Sequence, residues 1–135
     1  MANAIYPKYK EALLSGSSNI SLSSGNVKAI LVDTNDHAYS SSDEFLDDIT
    51  GGAVVSTSGN MAGKSVTNGL FDCDDFTFNS VSGDQSEAIV FYIDTGTPGT
   101  SRLVAWFDTG ITGIPVTPNG GDINISINGS GIFQL

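Results

Sequence analysis

The sequence holds one cysteine, Cys73, and one histidine, His37. A lone cysteine excludes an intrachain disulfide, and one histidine with one cysteine cannot build a zinc site by themselves. Stability must then come from packing or from association between copies, and a reducing cytoplasm suits the chain before assembly. Positive charge is equally scarce: five Lys and Arg stand against fifteen Asp and Glu, a formal net charge of -10. That balance repels phosphate backbones and anionic membranes, so neither nucleic acid nor a membrane is expected as a partner. No apolar run is long enough to span a bilayer, and MANAIYPKYK lacks the apolar stretch of a secretory leader.

What is abundant is turn chemistry. Sixteen glycines, with many Ser, Thr and Asn, punctuate short runs of β-branched and aromatic residues in 135 positions that are 39% hydrophobic and 15% charged. Short strands joined by many turns have this composition, and the length fits one domain over residues 1–135. The expected fold is all-β, a jelly-roll-like antiparallel β-sandwich.

Residues 5–14 (IYPKYKEALL) put Ile5, Tyr9 and Leu13 with Tyr6 and Leu14 near one helical stripe, with Pro7 in the first turn and Gly16 ending the run. A helix followed by a Ser-rich linker, residues 1–25 together, is therefore expected as an N-terminal arm. Val27 to Thr34 is apolar on both faces and reads as a strand covered on both sides or lying at a subunit contact. Ser41 and Glu44 have capping-box spacing before a short helical turn near 43–49. Residues 53–58 and 64–67, broken by glycines, suit edge strands. Residues 75–80, 87–95 and 102–109 read as core strands. Residues 122–127 alternate cleanly, a turn is expected at Asn128 to Gly131, and Ile132 to Leu135 returns as a last strand that a neighbour should tie down.

Several patterns invite a chemical reading. Asp-Thr-Gly occurs at Asp94–Gly96 and Asp108–Gly110, but the shared-proton pair of an aspartic protease needs two carboxylates about 3 Å apart. Successive antiparallel strands would send the two aspartates to opposite ends, and strand-ending turns explain both triplets. Gly59 to Ser65 resembles a phosphate loop with one residue too few between its glycines and a strand where a helix is required. Carboxylates at Asp43, Glu44, Asp47 and Asp48, and at Asp72, Asp74 and Asp75, could hold calcium, yet no calcium-loop spacing is met. Sequons at Asn19, Asn124 and Asn128 read as turn residues. His37 reads as an exposed turn residue without a partner, and Gly-x-Ser-x-Gly is absent. Trp106 with Phe91, Tyr92 and Phe107 reads as core or interface before it reads as a sugar platform. No catalytic residue, cofactor or metal is expected, and the chain reads as a binding module.

Taken together, the segments MANAIYPKYKEALLSG, VKAILVDTNDHAYSSSDEFLDD, TNGLFDCDDFTF, SGDQSEAIVFYIDTGTPGTSRLVAWFDTG and PVTPNGGDINISINGSGIFQL resemble small virion proteins of tailed bacteriophages. The resemblance covers most of the chain and is similar to head-associated β-sandwich proteins. It implies a capsid cement or decoration protein made in the host cytoplasm and placed on the virion surface. Its implied partners are the major capsid protein and further copies of itself, with a trimer suggested by shell symmetry. A tail or fibre-base component, or a displayed receptor- or carbohydrate-binding module using Tyr39, Tyr92 or Trp106, is the alternative. The expected contact residues are Ile5, Tyr6, Tyr9, Leu13 and Leu14 of the helix, with Ile132, Phe133 and Leu135 of the last strand, because strand ends and edges recruit neighbours.

Overall fold

A computed structural model describes residues 3–50, 52–127 and 129–135. The start of the expected turn at Asn128, and the sequon there, lie outside the described residues. Strands β1 (Ala4–Ile5), β2 (Asn26–Val32), β3 (Val54–Thr57), β7 (Ala88–Asp94) and β8 (Arg102–Phe107) form one sheet in the order β1-β8-β7-β2-β3. Strands β4 (Ser65–Thr67), β5 (Leu70–Asp72) and β10 (Phe133–Gln134) form a second in the order β10-β5-β4, and β6 (Phe76–Phe78) pairs with β9 (Ile123–Ile125). Every pairing is antiparallel, so the fold is all-β.

The longest strands are those whose sequence is apolar on both faces. β2 and β7 pair over seven residues each, from Asn26 opposite Asp94 to Val32 opposite Ala88. Val27, Ile30, Leu31, Val32, Ile89, Ile93 and Leu103 are fully buried, as a strand with cover on both sides demands. On one side Phe76 of β6 meets Phe91 edge-on at 5.9 Å, and Phe91 in turn meets Phe107 at 5.7 Å. On the other side Tyr6 stacks on Tyr39 at 5.5 Å, and Tyr39 meets Trp106 edge-on at 5.7 Å. β7 and β8 lose register between Phe91 and Tyr92, a bulge of the kind that bends a strand and re-aims its side chains.

The segment between β2 and β3 is fastened over the second face. Leu46 N–H donates to Ser101 O, Leu103 N–H donates to Glu44 O, and the Arg102 guanidinium lies 5.0 Å from the centre of the Phe45 ring. Its helical element, among the described residues, is a 3-10 turn at Leu46–Asp48. The Ser41–Glu44 capping box does not form. Asp48 Oδ2 instead accepts the N–H groups of Glu44 and Phe45, at 2.7 and 3.0 Å.

Helix α1 (Pro7–Ser15) begins two residues later than the periodicity predicts. Ile5 is extended instead, opposite Ala105 in β1, because the edge of β8 offers backbone partners that a helix start would forgo. The helix ends at Gly16 in the left-handed region, with Ser17 N–H returning to Ala12 O. Tyr9 and Ala12 are its buried residues, whereas Leu14, placed on the buried stripe by sequence, is 91% exposed. Residues 17–25 are bound down rather than free: Asn19 Nδ2 donates to Ile93 O and Thr100 O, Arg102 reaches Ser18 O, and Leu22 is buried. The segment 75–80, expected among the core strands, instead forms β6 in the two-stranded sheet, with only Phe78 fully buried.

Candidate functional site

The N-terminal helix and the last strand, distant in sequence, meet along one apolar groove of about 340 Å³. Its floor is a register row across the second sheet, in which Val66 lies opposite Phe71 and Phe71 lies opposite Phe133. Tyr9 and Leu13 of α1, Ile20 to Ser23 of the linker, Gly69 and Leu135 complete the lining, with no charged side chain among them. The hairpin that positions the row turns on Asn68 and Gly69, at φ 52° and 80°, the two successive positive φ values of a tight two-residue turn. β10 is held by Ile132 N–H to Phe71 O and Leu135 N–H to Gly69 O, each 2.8 Å. Gly131 enters it at φ 95°, where a Cβ would meet Leu70 Cδ1 at 2.8 Å. The sequence expected the last strand but not β5, although Asn68-Gly69 between apolar residues is a strong hairpin signal.

The expected contact residues divide. Tyr6 and Tyr9 are core of this chain: Tyr6 is fully buried, and the Tyr9 hydroxyl donates to Ile20 O at 2.9 Å. Burial pushes the Tyr9 phenol up to about 12 and raises that of Tyr6 further. Ile5 is half-buried in β1. Leu13, Phe133 and Leu135 line the groove, while Ile132 faces a different cleft of about 440 Å³ beside Phe91, Phe107 and Ile125. Among the described residues, the large apolar side chains left exposed are Leu14 at 91%, Leu135 at 59% and Val66 at 51%. Two of the three line the groove, and the third follows Leu13, which does.

The other patterns resolve locally. Asp94 and Asp108 stand at opposite ends of the β7–β8 pair. Asp94 is 2.8 Å from Lys28 Nζ, and Asp108 Oδ2 accepts the indole N–H of Trp106 at 3.0 Å. The hydrogen bond from Lys28, helped by the Gly96 N–H and the Ser101 hydroxyl, holds the Asp94 carboxyl below its ordinary range against the opposing effect of burial. The glycine-rich stretch from Gly59 leads into β4, with Lys64 Nζ donating to Gly25 O. Among the described residues, the cluster of three carboxylates with oxygens within 4.8 Å of one another is Asp33, Asp36 and Asp84 rather than either run marked by sequence. Asp33 already accepts the Asn35 N–H, as an aspartate in a turn does. Cys73 is buried, and burial with Asp72, Asp74 and Asp75 nearby pushes its thiol up to about 12.

One sequence expectation is corrected. His37 is neither exposed nor alone: its Nε2 lies 2.8 Å from Asp43 Oδ2, with the two side chains 15% and 8% exposed. The pair is brought together by the turn after β2, in which Asp36 and His37 N–H groups return to Asp33 O. Trp106 and Tyr92 are core, as their strands predict, which leaves the alternative stacking platform one of its three rings. Tyr39 alone stays partly open, at a cleft of about 490 Å³ that it shares with Thr34, Glu87 and Asp108. No protein-family model matches the chain, and no curated protein is similar to it in sequence.

Proposed function

We propose that the chain is a virion structural protein of a tailed bacteriophage, cementing or decorating the outer surface of the head. One observation carries the reading beside the sequence resemblance. On a chain of net charge -10, two of the three large exposed apolar side chains among the described residues, Val66 and Leu135, line one groove that bears no charged side chain. A contiguous apolar surface on a small acidic domain fits a docking face for another protein. The groove joins α1 to the C-terminal strand, which pairs with β5 at Phe133 and Gln134.

The mechanism is linkage. A protein that binds the assembled shell and not its separated subunits stabilises the assembled state in proportion to the logarithm of its occupancy ratio. The groove and Leu14 supply the apolar contact with the major capsid protein, and the acidic remainder faces solvent, away from packaged DNA.

Purified protein mixed with capsids that lack it tests the proposal. Stoichiometric binding to heads, with a rise in the temperature at which they release DNA, is the expected result. Binding to tails alone, or to host glycans with no effect on heads, overturns it.

A further inference from the structure

We infer that two copies of this chain pair through β4, edge to edge and antiparallel about a two-fold axis at Val66. The row that floors the groove stops abruptly. Phe71 is almost completely covered and Phe133 is partly buried, yet the next residue in the row, Val66, is 51% exposed at the margin of the sheet. All three residues of β4 are exposed, and none of them is a charged residue or proline that would blunt an edge.

The backbone direction of Val66 follows from its neighbours. Phe71 sends its carbonyl to Ile132 on the β10 side, as Gly69 sends its own to Leu135. In an antiparallel pair the bonding groups alternate along each strand, so Phe71 and its opposite residue, Val66, exchange no bonds with each other. The N–H and C=O of Val66 therefore point outward, away from β5. An outward donor and acceptor on one residue match the same residue of a second copy, because an antiparallel hydrogen-bonded pair exchanges both bonds between two positions. Only a two-fold axis places Val66 opposite itself, and it sets Ser65 opposite Thr67 of the second copy.

The pairing converts a three-stranded sheet into a six-stranded one and continues the apolar row from Phe133 through both valines to the second Phe133. The two grooves then lie on one continuous sheet. Such a contact is isologous and closes on itself as a dimer, whereas a trimer needs a head-to-tail contact. The groove lining holds no acidic side chain to pair with a basic peptide, which tells against that occupant.

Sedimentation equilibrium of the full chain, with no capsid present, is the test, so its outcome is independent of whether the protein binds a head. The mass expected is that of two chains, and Val66→Pro, which removes the outward N–H, should weaken the dimer by on the order of tenfold or more. Cysteine scanning in a Cys73→Ser background fixes the register. Val66→Cys should link to itself on mild oxidation, because paired Cα atoms lie about 5.5 Å apart, within disulfide reach. Ser65→Cys should link to Thr67→Cys in a mixture better than either links to itself. A single-chain mass at all concentrations, a trimer mass, a folded Val66→Pro that dimerises undiminished, or Ser65→Cys linking to itself as readily as Val66→Cys overturns the inference.

Discussion

The central sheet and the small β10-β5-β4 sheet are built from the same residue types and do opposite things with them. In the first, Val27, Ile30, Val32 and Ile89 are wholly covered; in the second, Val66 and Leu135 are more than half exposed. Strand length and layering explain the difference. β2 and β7 pair over seven residues and have cover on both faces, so each apolar side chain finds neighbours within the chain. β4, β5 and β10 run three, three and two residues, and their apolar row ends at an edge. One sheet holds the fold, and the other presents a surface.

Trp106→Ala should break the first region most severely. The indole is 1% exposed, meets Tyr39 edge-on and donates to Asp108, so truncation leaves a cavity and an altered polar contact. A loss of about 3–5 kcal/mol is expected in urea or guanidinium unfolding. The same truncation in the second sheet at a groove-lining, half-exposed position should cost well under half of that.

His37→Ala comes next. It leaves the Asp43 carboxylate, 8% exposed, without the imidazole 2.8 Å away, and a stranded buried acceptor costs about 1–3 kcal/mol. Equilibrium unfolding checks it, and an unchanged midpoint would show the pair to be solvated in practice. The salt link at the end of β7 sharpens the comparison through pH. The folded Asp94 carboxyl titrates below its ordinary 3.8, so its contribution is complete above that value and is lost as pH falls through the lower folded one. Lys28→Met removes the largest cause of the lowering. The variant should lose less stability than the parent between about pH 5 and pH 2, and equal slopes would show that Lys28 does not set the titration.

Much of this architecture is legible in residues whose neighbours are close in sequence. The two-sided apolar run at Val27–Val32, the aromatic-rich runs of β7 and β8, and the alternation in β9 all announce strands before any contact is known. What sequence obscures depends on distant partners. Ile5 is drawn from helix to strand by the open edge of β8, and Leu14 is left in solvent because α1 turns Tyr9 and Ala12 inward. The His37–Asp43 pair depends on the turn at Asp33 and on the bridging of Phe45 and Leu46 to Arg102 and Ser101, contacts distant in sequence. For the groove, its two ends are readable from sequence, whereas its floor is signalled only by the Asn68-Gly69 turn, since Phe71 sits in a three-residue strand too short to show a period.

The smallest expected change in stability belongs to Leu14→Glu. The side chain is 91% exposed and lies past the buried positions of α1, so replacement should shift the unfolding free energy by no more than about 0.5 kcal/mol. Its effect on docking should be large, because a carboxylate carried into an apolar contact must shed its water without a partner. Head binding lost with the unfolding midpoint preserved would separate the region that presents from the region that holds. Undiminished head binding would move the contact away from α1, and a collapse in stability would mean that Leu14 is packed in solution and that the two regions are not distinct at all.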